Sequence, residues 1–239
     1  SLYLLIGTIV YLLYMSLYTK KYRQAICLAL FIVLGVLLAS PQLFITYEAF
    51  KETARSTSFI KGEIIPWSYL ITFFAPDFYG NPVTRNDWFG HYAEWAGFIG
   101  VIPLFLAFIA VTSKKIARWF FVILSVLSLL LATPTLLTDL MYSARIPVLS
   151  TSAASRIILL VSFSLSVLAA FGMDALSVLW IEKKKNKASI FAISTGIFLA
   201  IVWFVLLFLY PMAADTLSVA VRNTILSSII LIILSGVVF

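Results

Sequence analysis

Basic residues fall into every second connector between the apolar blocks of this chain, and that alternation constrains the fold more than any other feature. The blocks are Leu2–Tyr18, Ala25–Ile45, Trp95–Thr112, Ile116–Thr133, Arg156–Leu176, Ala188–Tyr210 and Asn223–Phe239. Each approaches the roughly 20 apolar residues that a helix needs to cross a bilayer. Lys20, Lys21 and Arg23 join the first two blocks, Lys114, Lys115 and Arg118 the third and fourth, and Lys183, Lys184, Lys185 and Lys187 the fifth and sixth. The positive-inside rule places those connectors in the cytoplasm. Residue 1 is then expected outside and residue 239 toward the cytoplasm. The expected fold class is all-α: a polytopic transmembrane bundle of about seven spans, one domain over 1–239.

Composition excludes other classes. Hydrophobic residues make up 62% of the chain and charged residues 11%, against about a quarter charged in soluble domains. A net charge of +7 would fit nucleic acid, but the cations are short clusters flanking apolar spans and do not interleave with exposed aromatics. No nucleic-acid partner is expected; the lipid bilayer is. Cys27 is the single cysteine and His91 the single histidine, so neither an intrachain disulfide nor a Cys/His metal cluster is expected. The chain opens on Ser1 and stops inside an apolar run, so it reads as an internal piece of a longer membrane protein.

Alternate connectors carry the acids Glu48, Glu52, Glu63, Asp77, Asp87, Glu94, Asp139 and Asp215 beside a few cations. The longest, residues 46–94, is too rich in Trp, Tyr and Phe for disorder and too long for a plain connector. Trp67, Leu70, Ile71 and Phe74 share one face at helical spacing, between Pro66 and Pro76. That predicts a short helix over about 66–75, at roughly 14 Å too short to cross, lying in the outer headgroup layer. Next comes Pro76-Asp77-Phe78-Tyr79-Gly80-Asn81-Pro82, whose residue types set tight turns. Asp87-Trp88-Phe89-Gly90-His91-Tyr92-Ala93-Glu94 then leads into the third span.

Carboxylates, amides and aromatic faces are what bind sugars, while guanidinium groups hold phosphate. Asp77, Tyr79, Asn81, His91, Tyr92 and Glu94 are the candidate substrate-binding residues, and Arg55, Arg85 and Arg156 the candidate phosphate-binding residues. Each has a plainer reading. Trp67, Trp88 and Trp95 serve as interface anchors, Glu94 as partner to a helix N-terminus, and Asp77 as a turn cap. Arg156, opening a span, snorkels to headgroups or holds a phosphate. Glu48, Glu52 and Arg55 form a surface ion pair at helical spacing. Asp174, near the cytoplasmic end of the fifth span, reads as structural. A divalent metal at Asp77 or Glu94 suits the residue types, but no ligand spacing calls for one.

Pro41-Gln42-Leu43 followed by Glu48 and Arg55, the Pro76–Pro82 motif, Tyr92, Glu94, Gly100, Pro103 and Leu104, and Arg156 opening a span that ends Gly172-Met173-Asp174-Ala175-Leu176 together resemble the YfhO family of bacterial multi-span membrane proteins. The resemblance runs from about Ala39 to Leu176. It implies a GT-C type glycosyltransferase in a bacterial cell membrane. Such an enzyme takes a sugar from a polyprenyl-phosphate donor and passes it to a surface polymer or glycolipid, such as a teichoic acid, on the outer face. It also implies a catalytic base in an outer loop upstream of Ser1, so no catalytic residue is assigned within the chain. The family often has a second arginine shortly before the position of Arg156, where this chain has Ser152 or a neighbour. The alternative is a flippase or transporter of lipid-linked sugars, which would place charges near mid-bilayer or break its helices.

Overall fold

The computed structural model describes residues 2–52, 63–83, 90–145, 150, 153–181, 185–209 and 214–238. Among them there is no strand, and the fold is all-helical. The α-helices are α1 (Leu2–Thr19), α2 (Tyr22–Lys51), α3 (Val101–Ile109), α4 (Ala117–Ala132), α5 (Leu136–Ser143), α6 (Ile158–Ile181), α7 (Lys185–Phe204) and α8 (Ala214–Val238). Among the described residues three helical stretches are long and apolar enough to cross a membrane: Tyr22–Lys51, Ala154–Val178 and Thr216–Gly236. A fourth is added if α4 and α5, bent by 72°, count as one span. The chain divides into two compact units, one of residues 1–64 and 127–160, the other of 65–126 and 161–239.

In the first unit α1 and α2 are in contact and joined by Lys20 and Lys21 alone. Lys20 takes a positive φ of 56° to reverse the chain. α2 runs for 30 residues, continues through Pro41 and buries none of its side chains.

The bend after α4 is built by threonine. Pro134 cannot donate a backbone hydrogen bond, and the helix stops at Ala132. The Thr138 hydroxyl lies 2.9, 3.1 and 2.7 Å from the carbonyls of Leu130, Leu131 and Thr133, which share its one proton. Thr135 donates to Leu130 O at 2.6 Å and, as N-cap of α5, accepts from Thr138 N at 3.4 Å. The two hydroxyls thus supply donors to the carbonyls freed by the break. α5 falls where the sequence predicts only a connector. It buries Thr138, Met141 and Tyr142 and turns Leu136, Leu137 and Leu140 outward. Met141 and Tyr142 pack with Ala154 and Ile157, and Tyr3, Ile64 and Leu131 lie against them.

The core of the second unit gathers Phe74, Ala75 and Phe78 with Val101, Phe105 and Ile109 of α3, Ala175 of α6, Leu199 and Val202 of α7, and Ala220 and Leu231 of α8. Within this unit α3 and α6 run in the same sense, since Ser162 donates to Gly97 O at 3.2 Å while Gly172 lies against Leu106. A Cβ on Gly172 would sit 1.8 Å from Leu106 O, so only glycine permits this approach of the two backbones. Trp203 Nε1 on α7 donates to Ser228 Oγ on α8 at 3.1 Å. Lys115, just before α4, is hydrogen-bonded to Asp174 near the end of α6, in keeping with the structural reading of that acid.

Two expectations need correction. The block expected from Trp95 is helical only from Val101, because Gly100 holds φ at +101°, a conformation foreign to a helix and cheap only for glycine. α3 and the three-residue 3₁₀ turn after it are correspondingly short. The helix expected over 66–75 is a 3₁₀-helix, Trp67–Phe73. With three residues per turn its buried face is set by Tyr69 and Thr72, not by Trp67, Leu70 and Ile71. Trp67 is 49% exposed, while the residues that follow the helix, Phe74 and Ala75, enter the core.

Candidate functional site

The 3₁₀-helix delivers the chain into a tight turn centred on Asp77. Phe78 N–H donates to Ala75 O at 3.0 Å and Gly80 N–H to Asp77 O at 2.8 Å. Buried Phe78 and Ala75 anchor the turn from below. Tyr79 stacks on Tyr69, ring centroids 5.4 Å apart, and donates its hydroxyl to Ser68 O at 2.9 Å. Trp95 meets the edge of Tyr69 at 5.0 Å. The Pro/Gly/Asn composition legible in the sequence therefore makes a rigid aromatic-backed loop.

Three polar side chains converge on Asp77. Tyr92 donates to Asp77 Oδ1 at 2.6 Å, a short hydrogen bond of the kind expected at a carboxylate. Asn81 Nδ2 reaches Asp77 Oδ2 at 3.5 Å, at the weak end of the range. Asn223 on α8 donates its amide to the backbone carbonyl of Asp77. The hydrogen bond to Asp77, with burial and that carboxylate's charge behind it, pushes the Tyr92 phenol up to about 12. Burial first, and then Asp77, raise Tyr69 as well.

Beside the turn lies a cleft of about 750 Å³, bordered by Pro76 and Asp77, the start of α3, and residues 222–230 of α8. Asp77, Arg222 and Asn223 give it charge and hydrogen-bonding capacity; Ile102, Leu226 and Ile230 make much of the rest apolar. A second, smaller and almost wholly apolar cavity of about 240 Å³ lies among Phe74, Phe105, Phe198 and Leu231.

Of the sequence-predicted residues, the structure joins Asp77, Asn81 and Tyr92. Tyr79 belongs to the aromatic support. His91 is exposed, its ring 5.3 Å from that of Trp95, and its carbonyl accepts from Trp95 N–H at 2.9 Å. Glu94 is half-buried on the same segment. Arg156 is exposed in the 3₁₀ turn that precedes α6, in the first unit, whereas the Asp77 cluster belongs to the second. Arg55 and Arg85 lie outside the described residues. No group of three or more His, Cys, Asp or Glu side chains that would hold a metal ion occurs among the described residues.

Sequence reasoning missed Arg222, which it left among the cations of an outer connector, and Asn223, which it took as the start of the last block. Their signal was there: a cation and an amide adjacent in sequence, interrupting an otherwise apolar stretch. No protein-family description, curated protein or solved structure matches this chain.

Proposed function

We propose that this chain is part of a multi-span bacterial membrane glycosyltransferase of the GT-C type, in the manner of the YfhO family. It would transfer a sugar from a polyprenyl-phosphate donor to a surface polymer or glycolipid, such as a teichoic acid. The observation that carries this reading is the amphipathic cleft. A carboxylate already oriented by Tyr92 and Asn81 stands at its polar end, and apolar side chains of α3 and α8 continue from it. A sugar offers hydroxyl donors to Asp77 and a lipid chain seeks apolar walls; a free sugar has no use for the latter.

In this reading all seven apolar blocks cross or enter the bilayer, and the end of the second unit that carries Asp77 faces outside. The shared sense of α3 and α6 supports this, because alternate spans must run the same way. Transfer proceeds with inversion. A base removes the proton of the acceptor hydroxyl, and that oxygen bonds to the anomeric carbon. The bond from that carbon to the phosphate oxygen breaks in the same step, its electron pair leaving with the lipid phosphate. Asp77, Asn81 and Tyr92 orient the sugar; a cation beside the phosphate stabilises the charge that develops there.

The flippase reading draws on one observation of its own. The 72° break between α4 and α5 and the cation Arg222 within α8 are features expected of a transporter. One assay separates the two readings. Membranes carrying the protein are supplied with radiolabelled polyprenyl-phosphate sugar, and label is followed into polymer. Transfer that falls at least tenfold in Asp77→Asn supports the enzyme. Label that crosses the bilayer while still attached to its lipid supports transport. Topology is tested separately in a Cys27→Ser background. A cysteine replacing Val83, which is 94% exposed, should react with an impermeant thiol reagent on intact cells, and one replacing Lys184 should not.

A further inference from the structure

Arg222 interrupts an apolar helix near the end that meets the Asp77 turn. It lies six residues into the apolar stretch Thr216–Gly236, roughly 9 Å along the helix axis. Its side chain is exposed, and among the described residues it makes no hydrogen bond or ion pair. A guanidinium inside a span needs a compensating anion or water, and such residues mark binding sites more often than they stabilise a fold. This one borders the cleft that also holds the Asp77 turn.

The lining divides by chemistry. Arg222 and Asn223 follow one another at the polar end, and Asn223 is occupied with the Asp77 carbonyl, which fixes α8 against the turn. One turn further along α8, Leu226 and Ser227 and then Ile230 line the same cleft, with Ile102 of α3 among the residues bordering it, so that the wall beyond the polar end is mostly apolar. A ligand that filled it would therefore carry, at one end, an anion for Arg222 and hydroxyl donors for Asp77, with hydrocarbon along the rest. An inorganic anion would leave the apolar wall unused, and a neutral lipid would leave the cation unpaired.

We propose that this cleft is a binding site for a lipid phosphate, with Arg222 holding the phosphate and Leu226, Ile230 and Ile102 the proximal chain. The inference rests on the transferase reading for the identity of the lipid, and it transfers the phosphate-holding role from Arg55, Arg85 and Arg156 to Arg222. The phosphate at Arg222 and the sugar hydroxyls at Asp77 would then share the polar end of one cleft.

Binding of tritiated farnesyl phosphate to the purified full chain in neutral detergent tests this apart from any transfer. Farnesol and inorganic phosphate, as unlabelled competitors, distinguish the chain from the headgroup. Farnesyl phosphate should bind saturably, and each competitor should be at least tenfold weaker. Arg222→Gln should weaken binding at least tenfold, with Arg222→Lys between it and the parent, since a charge-assisted hydrogen bond is lost in one and partly kept in the other. Gel filtration and thermal unfolding of both variants confirm that the fold is intact. Equal binding by Arg222→Gln overturns the inference, as does competition by inorganic phosphate as strong as by farnesyl phosphate. Arg222-dependent binding without sugar transfer keeps the lipid-phosphate site and removes the transferase reading. Sugar transfer that is indifferent to Arg222 does the reverse.

Discussion

α2 and the segment from Ile65 to Gly80 invert the usual relation between hydrophobicity and burial. α2 is a 30-residue apolar helix with no buried side chain, and Leu38 and Phe44 on it are among the most exposed large apolar residues. The shorter segment contains a 3₁₀-helix, three prolines and glycines counted together at its turns, and an acid, yet Ile65, Tyr69, Thr72, Phe74, Ala75 and Phe78 are all buried. In water this would be a misfolded arrangement. Where lipid is the solvent, apolarity no longer drives a helix inward, because hydrocarbon outside is as good as hydrocarbon inside. What goes inside is whatever packs closely or needs polar partners that lipid cannot supply.

Glycine substitutions test that contrast with the largest expected effect. Gly172→Ala in the second unit puts a methyl group against the Leu106 carbonyl, which is backbone and cannot step aside. Overpacking of this kind costs about 2–3 kcal/mol, and the thermal midpoint in detergent should fall by roughly 5–10 °C. Gly35→Ala in α2 has nothing within 4 Å to meet. It should be neutral or stabilising by up to about 1 kcal/mol, from helix propensity alone. Equal midpoints for the two variants would mean that α3 and α6 do not approach as described.

The Asp77 cluster yields the next effect. Tyr92→Phe removes a donor from a carboxylate and should cost about 1–2 kcal/mol. Its pH signature is specific. Between the ordinary tyrosine value of 10.0 and about 12, the unfolded chain has released the Tyr92 proton and the folded chain has not. The folded state binds more protons there, so the stability Tyr92 confers is complete below pH 10 and is lost as pH rises through about 12. Denaturant midpoints of the parent should drop across that window more steeply than those of Tyr92→Phe. Asn223→Ala, which cuts the tie from α8 to the Asp77 carbonyl, should follow at about 1 kcal/mol. Its consequence should be looser protection of the Gly80 amide in hydrogen exchange.

Asn223 also shows where sequence stops being informative. The apolar blocks located α1 and α4 to within one residue at each end and α2, α6 and α7 to within six, because hydropathy is a property of each segment by itself. The Pro76–Pro82 turn was legible for the same reason: its residues carry their own conformational preferences. α8 begins at Ala214, nine residues before the block expected at Asn223, since its first turns hold Asp215 and Arg222 and do not read as apolar. α5 was missed because a short helix capped by Thr135 beyond a proline resembles a connector until its side chains find Leu130 and Leu131. The switch from α to 3₁₀ geometry at Trp67–Phe73 depends on what Tyr69 packs against, and the meeting of Asn223 with Asp77 spans 146 residues. Neither is written in local pattern.

The smallest effect belongs to an exposed ion pair. Lys115 and Asp174 are paired, but their side chains are 53% and 57% exposed, and such pairs contribute at most about 1 kcal/mol. Asp174→Asn should therefore lower stability by a few tenths of a kcal/mol at low salt, and by nothing measurable at about 0.5 M, where the charges are screened. Lys115 has a second contact, its ammonium lying 5.2 Å from the Phe171 ring centroid, which does not depend on Asp174. Lys115→Gln should accordingly cost more than Asp174→Asn, and part of that cost should persist in salt. The part-buried Asp77 cluster, held by hydrogen bonds and not by an ion pair, should show a weaker salt dependence. A loss in Asp174→Asn as large as that in Tyr92→Phe would mean that this end of α6 is far drier than its exposure implies, and that charge, as well as packing, holds α6 in place.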